Sequence, residues 1–189
     1  MEKKGKIIAV SSPSGGGKTS VVKQILKDFP EIIFSVSVTT RPKRSNEQNG
    51  IDYFFVDDKE FEKKIAGDEF IEWERFYDYY YGTLKSFVVD NINNGKSVLF
   101  EVDVKGALSL KKIYPESFLI FIDPPSFDEL VKRLKNRKTE SETDLQKRID
   151  RVKMELSYKQ DFDYIFVNDE LPRVYKDVKK LIKEILNKE

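Results

Sequence analysis

Gly15, Gly16 and Gly17 run directly into Lys18 and Thr19, and Ser12, Pro13, Ser14 and Ser20 complete the stretch. Successive glycines let a backbone curl until several N–H groups face one concavity, a geometry that suits an anion with several oxygens. A lysine at the end of such a curl adds a mobile positive charge, and the neighbouring hydroxyl can ligate Mg2+. The set therefore fits the β- and γ-phosphates of a nucleoside triphosphate. Ser12 stands where the pattern G-x-x-x-x-G-K-[ST] has its first glycine. Glu101 and Asp103 form a second candidate pair, two residues apart at the end of the apolar run Val98 to Val102. In an extended chain they point to the same side, and two carboxylates there suit Mg2+ held through water.

The elements that must position these groups can be read around them. Ile7 to Val10 precedes the glycine loop as a strand-like run. Val21, Val22, Ile25, Leu26 and Phe29 follow it at spacings that give a helix one apolar face. Further apolar runs at Val98 to Val102, Phe118 to Ile122 and Tyr164 to Val167 are short and nearly free of alternation, as expected of strands buried on both faces. Helix signals separate them. Ser126 and Glu129 make a capping box after Pro124 and Pro125, and Pro172 heads a last helix bearing Val174, Val178, Leu181, Ile182 and Ile185. Alternating strands and helices predict a parallel sheet with helices on both faces and ligands at the carboxyl ends of its strands.

Residues 32 to 83 interrupt this rhythm. Alternation at Ile32, Phe34, Val36 and Val38, the run Tyr53 to Val56, the segment Phe70 to Trp73 and the run Tyr79 to Tyr81 predict short strands. One helix is expected near Asp57 to Ile65, started by an Asp57/Glu60 capping box. A small mixed lobe is thus inserted into the core. A second, highly charged stretch from Arg133 to Arg151 lies between two helical patterns and reads as a lid.

Composition excludes several classes. With no histidine and no cysteine in 189 residues, His-dependent triads, thiolate metal sites and disulfides are ruled out. A net charge of +1 provides no global basic field for nucleic acid. No apolar stretch approaches the roughly 20 residues of a membrane span. The basic start Met1 to Lys6 leads into only four apolar residues, too few for a signal peptide, so a cytoplasmic location is the expectation.

The ordered series SPSGGGKT (12–19), SVSVTTRPKR (35–44), GIDYFFV (50–56), EFIEW (69–73), YYGT (80–83), EVDVKG (101–106), PPS (124–126), RLKNR (133–137), KRI (147–149) and VND (167–169) resembles guanylate kinase from about residue 6 to the C-terminus. The resemblance implies an α/β, P-loop nucleoside-triphosphatase-like parallel sheet flanked by helices. It also implies an inserted mixed α/β GMP-binding lobe over 32–83, a helical lid over 126–158, and a core of 1–31, 84–125 and 159–189. The implied activity moves the γ-phosphoryl group of Mg·ATP to GMP, or dGMP, with small-molecule substrates, no nucleic acid and no membrane. An acceptor phosphate with a second pKa of about 6 is already mostly dianionic at neutral pH, so no general base is needed.

By the same resemblance, residues 12 to 20, Lys18 included, hold ATP together with Arg133, Arg137 and Asn168, the last near the adenine. Arg41, Arg44, Tyr53 and Tyr81 hold the GMP phosphate, and Glu72, Ser37, Thr83 and Asp103 read the guanine. Lys18, Arg41, Arg133, Arg137 and Arg148 neutralise the transferred group. Thr19 ligates Mg2+, with Glu101 and Asp103 behind it through water. The family usually has aspartate at position 101, so Glu101 either reaches the metal's water shell or only supports the loop. At Lys138 a glycine is commoner. Two other functions compete: a catalytically inactive module of the same fold that binds phosphorylated segments, and a kinase for another nucleoside monophosphate. An intact Gly15 to Thr19 argues against the first. Glu72 argues against the second.

Overall fold

The apolar run ahead of the glycine loop becomes β1, Ile7–Ser11, and every residue of it is buried. The computed structural model describes residues 4–45, 47–76, 78–136 and 142–188. After β1 come α1 (Lys18–Asp28), β2 (Ile33–Phe34), β3 (Val38–Thr39), β4 (Phe54–Phe55), α2 (Asp58–Ala66), β5 (Phe70–Phe76) and β6 (Tyr79–Leu84). The second half holds α3 (Lys85–Asn93), β7 (Val98–Glu101), α4 (Val104–Ile113), β8 (Phe118–Asp123), α5 (Phe127–Asn136), α6 (Glu142–Ser157), β9 (Tyr164–Val167) and α7 (Leu171–Asn187).

The main sheet runs β2-β7-β1-β8-β9, with every neighbouring pair parallel. Successive residues of a strand face opposite ways, and here both faces are covered. Ile8, Val10, Leu99, Ile120 and Ile122 pack with Val21, Val22 and Ile25 of α1 and Val174, Val178 and Ile182 of α7. Ile7, Ala9, Val98, Phe100, Leu119 and Phe121 pack on the other face with Val88 of α3 and Val104, Ala107 and Leu110 of α4. Each fully buried aliphatic or aromatic side chain contributes about 1.5–3 kcal/mol, which fixes the strand ends on which the site is built. Because all five strands are parallel, Ser11, Glu101, Asp123 and Val167 end on the same edge of the sheet.

The inserted sheet runs β4-β3-β6-β5 and is mixed: β3 and β4 are parallel, while β3–β6 and β5–β6 are antiparallel. Its core is aromatic. Phe61 of α2 is fully buried and stacks on Phe70 at 4.5 Å and on Tyr80 at 5.1 Å. Asp57 caps α2 as its sequence predicts, accepting the Glu60 N–H at 2.8 Å.

Two expectations are corrected. The alternation from Ile32 to Val38 is not one strand of the insertion: β2 pairs with β7 in the main sheet and only β3 joins the inserted sheet. The lobe expected to begin at residue 32 therefore begins after Phe34. Strand β9, read as buried on both faces, is an edge strand, and Ile165 and Val167 are exposed while Tyr164 and Phe166 pack on the core. In the stretch read as a lid, α5 and α6 close a small cluster of Leu130, Leu134 and Val152. The Ser126 hydroxyl accepts the Glu129 N–H at 3.1 Å as the first cap of α5.

Candidate active site

Between the end of β1 and the start of α1, residues 12 to 17 bring backbone N–H groups to a helix N-terminus, where an anion is favoured. Gly15 and Gly17 adopt φ of 87° and 99°, a region that L side chains avoid. At Gly17 space forbids a side chain as well, since a Cβ would lie 2.3 Å from Asn168 Nδ2. That amide donates to the Gly16 carbonyl at 2.8 Å, and the Asn168 N–H donates to the Asp123 carbonyl at 2.7 Å. Asn168, expected near the adenine, is thus a buried clamp between the phosphate loop and the β8 end. Ser12 is buried in the place of the usual first glycine. It is accommodated because Gly16, whose Cβ would approach Ser12 Cβ to 2.9 Å, has no side chain.

The Thr19 hydroxyl donates to Glu101 Oε1, and Lys18 Nζ lies 3.7 Å from the same oxygen. Glu101 therefore stands directly behind both loop residues. Asp103 is extended at the N-cap of α4 and accepts the Gly106 N–H at 2.7 Å on Oδ1. Its Oδ2 accepts from Arg151 Nη2 at 2.7 Å, so both oxygens are already engaged by protein donors.

Across the cleft, Glu72 and Glu74 project from β5 on the same side as its period requires, and both line the cavity with Lys18, Ser37, Tyr81 and Asp103. The Thr83 hydroxyl on the paired strand β6 donates to Glu72 Oε1 at 2.7 Å. Glu72 Oε2 would lie 3.1 Å from a Cβ on Gly106, so the missing side chain there leaves room beside the carboxylate. Burial pushes the Glu72 carboxyl up to about 7, against the Thr83 hydrogen bond that favours its charge, and the Asp103 charge adds to the rise.

Tyr53 and Tyr81 meet edge to face at 6.0 Å, and burial pushes the Tyr53 phenol up to about 12, so it stays an O–H donor at neutral pH. Arg41 lies over the Tyr53 ring at 5.4 Å and the Phe55 ring at 5.8 Å. Its Nη2 donates to Glu47 Oε1 at 2.6 Å, while Glu47 Oε2 accepts the Arg44 N–H at 2.8 Å. The Arg44 side chain is 71% exposed, against 11% for Arg41, so Arg41 is held and Arg44 is presented. Glu47, buried and ionised by its bond to Arg41, orients both arginines. Glu47→Gln keeps the shape and removes the charge. On the expectation that Arg41 and Arg44 hold the GMP phosphate, the result should be a KM for GMP raised about tenfold with the KM for ATP unchanged, since misplacing a positioning group is costly. Steady-state kinetics with each substrate varied checks this, and an unchanged KM for GMP would reduce Glu47 to a purely structural role.

The lid arginines divide. Arg148 of α6 lines the cavity. Arg133, near the end of α5, donates from Nε to Glu129 at 3.2 Å and from Nη2 to the Asn168 carbonyl at 3.4 Å, which places it over the turn after β9. Arg137 and Lys138 lie outside the described residues.

Residues 4–185 match the family model described as guanylate kinase. A guanylate kinase of Thermotoga maritima is 47% identical over 89% of this chain and 81% of its own length, and one of Chlorobaculum tepidum is 45% identical over 96% and 94%. The crystal structure of guanylate kinase from Anaplasma phagocytophilum superposes with a TM-score of 0.80 at 29% identity, covering all of this chain and 89% of that one. The chain belongs to the guanylate kinase family. Within that family frame, the structure adds site residues that the sequence reading did not single out: Glu47, Glu74, Arg151 and Glu155. Glu74 carried a signal in its two-residue spacing from Glu72. Arg151 and Glu155 carried one in their four-residue spacing on a helix, which places them on one face with Arg148. Glu47 looked like any loop carboxylate.

Proposed function

We propose that GMP occupies the cleft between the inserted sheet and the strand ends, with its base at Glu72 and its phosphate at Arg41, Arg44, Tyr53 and Tyr81, and that ATP places its phosphates in the loop 12–20. As a guanylate kinase family member the chain is an ATP:GMP phosphotransferase. The observation that carries the assignment is Glu72. It is a desolvated carboxylate with one oxygen held by Thr83 and the other facing Gly106, which has no side chain to cover it, in the same cavity as Lys18. Guanine offers N1–H and an exocyclic NH2 to two such acceptors, whereas adenine offers a lone pair at N1 and no donor at position 2. Ser37 lines the same cavity and is the residue we assign to the guanine O6, with Asp103 on the wall that faces Glu72.

In the transfer, an oxygen of the GMP phosphate attacks the γ-phosphorus of ATP, and the bond from that phosphorus to the β–γ bridging oxygen breaks, releasing ADP and GDP. Lys18, Arg41, Arg148 and the loop amides hold the two substrates in line and balance the charge spread over the moving group. Thr19 and Glu101 offer a hydroxyl and a carboxylate oxygen side by side, a hard-oxygen set that fits Mg2+. When bound, Mg2+ would neutralise charge on the β- and γ-phosphates. We assign Arg133 to the ATP side of the cleft, and by the family resemblance Arg137, outside the described residues, takes the same role. No helix among the described residues is long and apolar enough to cross a membrane, which supports a cytoplasmic location.

Release of ADP, measured by coupled assay with GMP, dGMP, AMP, CMP, UMP and dTMP as acceptors, tests the assignment. The expected order is GMP and dGMP well above the rest. Comparable rates with AMP would overturn the role given to Glu72.

A further inference from the structure

Arg148, Arg151 and Glu155 share one face of α6, and all three side chains line the acceptor cavity. Arg151 is the centre of that face. Its Nη2 donates to Asp103 Oδ2 at 2.7 Å and to Glu74 Oε2 at 3.2 Å, and its Nε donates to Glu155 Oε1 at 3.0 Å. The other oxygen of Glu155, which is only 4% exposed, accepts the Ser14 N–H of the phosphate loop at 3.1 Å. One guanidinium thus joins three separate parts: strand β5 of the inserted sheet, the N-cap of α4 in the core and, through Glu155, the loop that takes the donor phosphates.

We propose that Arg151 is a positioning residue that couples occupation of the acceptor site to the seating of α6 and the phosphate loop. The proposal rests on the assignment of the cleft to GMP. Glu74 stands two residues from Glu72 on β5, so a base that engages Glu72 fixes the strand from which Glu74 projects. Asp103 lies on the opposite wall, and without the cation between them Glu74 and Asp103 are two like charges facing each other across the cleft. A guanidinium suits the task because its rigid fork reaches acceptors in several directions at fixed angles, and a lysine ammonium does not. Since Arg148 is three residues away on the same helix, a shift of Arg151 also moves the arginine expected at the transferred group.

Calorimetric titration of GMP, alone and with Mg2+ and a non-hydrolysable ATP analogue, reads this coupling directly. In the wild-type chain the analogue should tighten GMP binding by a factor within the range of about 5–150 usual for coupled sites. Arg151→Met should bring that factor close to one and lower kcat at least about tenfold, with GMP binding alone affected less. Arg151→Lys should restore only part of the coupling. Glu74→Gln should lose part of it, and the double variant should be no worse than Arg151→Met, because the two residues act through one contact. An Arg151→Met protein that binds GMP and keeps the wild-type factor overturns the coupling role alone, as does a wild-type factor of one. A wild-type protein that binds no GMP overturns the cleft assignment and the coupling role with it.

Discussion

Lys18→Ala is expected to lose at least about a hundredfold in phosphoryl-transfer rate, the scale of removing one preorganised electrostatic donor. Its fold should survive. Lys18 is the first residue of α1 and its side chain is 24% exposed, with one long contact of 3.7 Å to Glu101. A single long, partly exposed ion pair of that kind contributes about 0–1 kcal/mol, so the melting temperature should move little. The loop itself does not depend on the lysine side chain: Asn168 clamps Gly16, the Gly16 N–H donates to the Pro13 carbonyl at 2.9 Å, and Gly15 and Gly17 supply the left-handed turns. On the proposed assignment, what the lysine supplies is charge that counts when the β- and γ-phosphates separate. ADP release and a thermal melt on the same preparation check both halves of the expectation. A folded Lys18→Ala protein with near-full activity would overturn the phosphate-loop assignment.

The strand–loop–helix setting of Lys18 could be read from the chain because everything that defines it is local: the glycines before it, the strand behind and the helix ahead. The same holds for the Asp57 cap of α2 and the Ser126 cap of α5, each set by a side chain and an N–H three residues away. Where pairing is not local the sequence signal fails. The period-two pattern of Ile32 to Val38 states that the segment is extended but not which sheet receives it, and here one strand-like run divides between two sheets. In β9 the type of element was legible and its burial was not, because a four-residue apolar run looks the same at the centre and the edge of a sheet. Arg151 shows the same limit in the site. Its partners Asp103 and Glu74 are 48 and 77 residues away, and nothing in a charged helix distinguishes a solvated arginine from one that bridges a cleft.

Glu72→Gln should separate function from stability by moving them in opposite directions. For function, the amide keeps one acceptor and turns the other into a donor, so one guanine N–H loses its partner and meets another N–H. A bidentate contact of this kind is worth roughly 1–3 kcal/mol, so kcat/KM for GMP should fall by about 5–150-fold and the preference over AMP should narrow accordingly. For stability the sign is opposite. The Glu72 carboxyl rises from 4.5 to about 7 on folding because burial disfavours its charge, so between those values the folded chain holds a proton that the unfolded chain has lost. Stability therefore falls as pH rises through that window, and above pH 7 the full cost of the buried charge, at most about 3 kcal/mol, is present. Glutamine carries no charge, and its carbonyl oxygen can still accept from Thr83. The variant should melt higher than the wild type at pH 8 and at nearly the same temperature below pH 4.5. The same ionisation should appear in catalysis: KM for GMP should rise as wild-type enzyme is taken from pH 8 to pH 6, more steeply than KM for AMP, which carries the same phosphate with its second pKa of about 6. In Glu72→Gln that difference between the two nucleotides should vanish. An unchanged GMP/AMP ratio, or a variant less stable than the wild type at pH 8, would show that Glu72 serves the sheet and not the base.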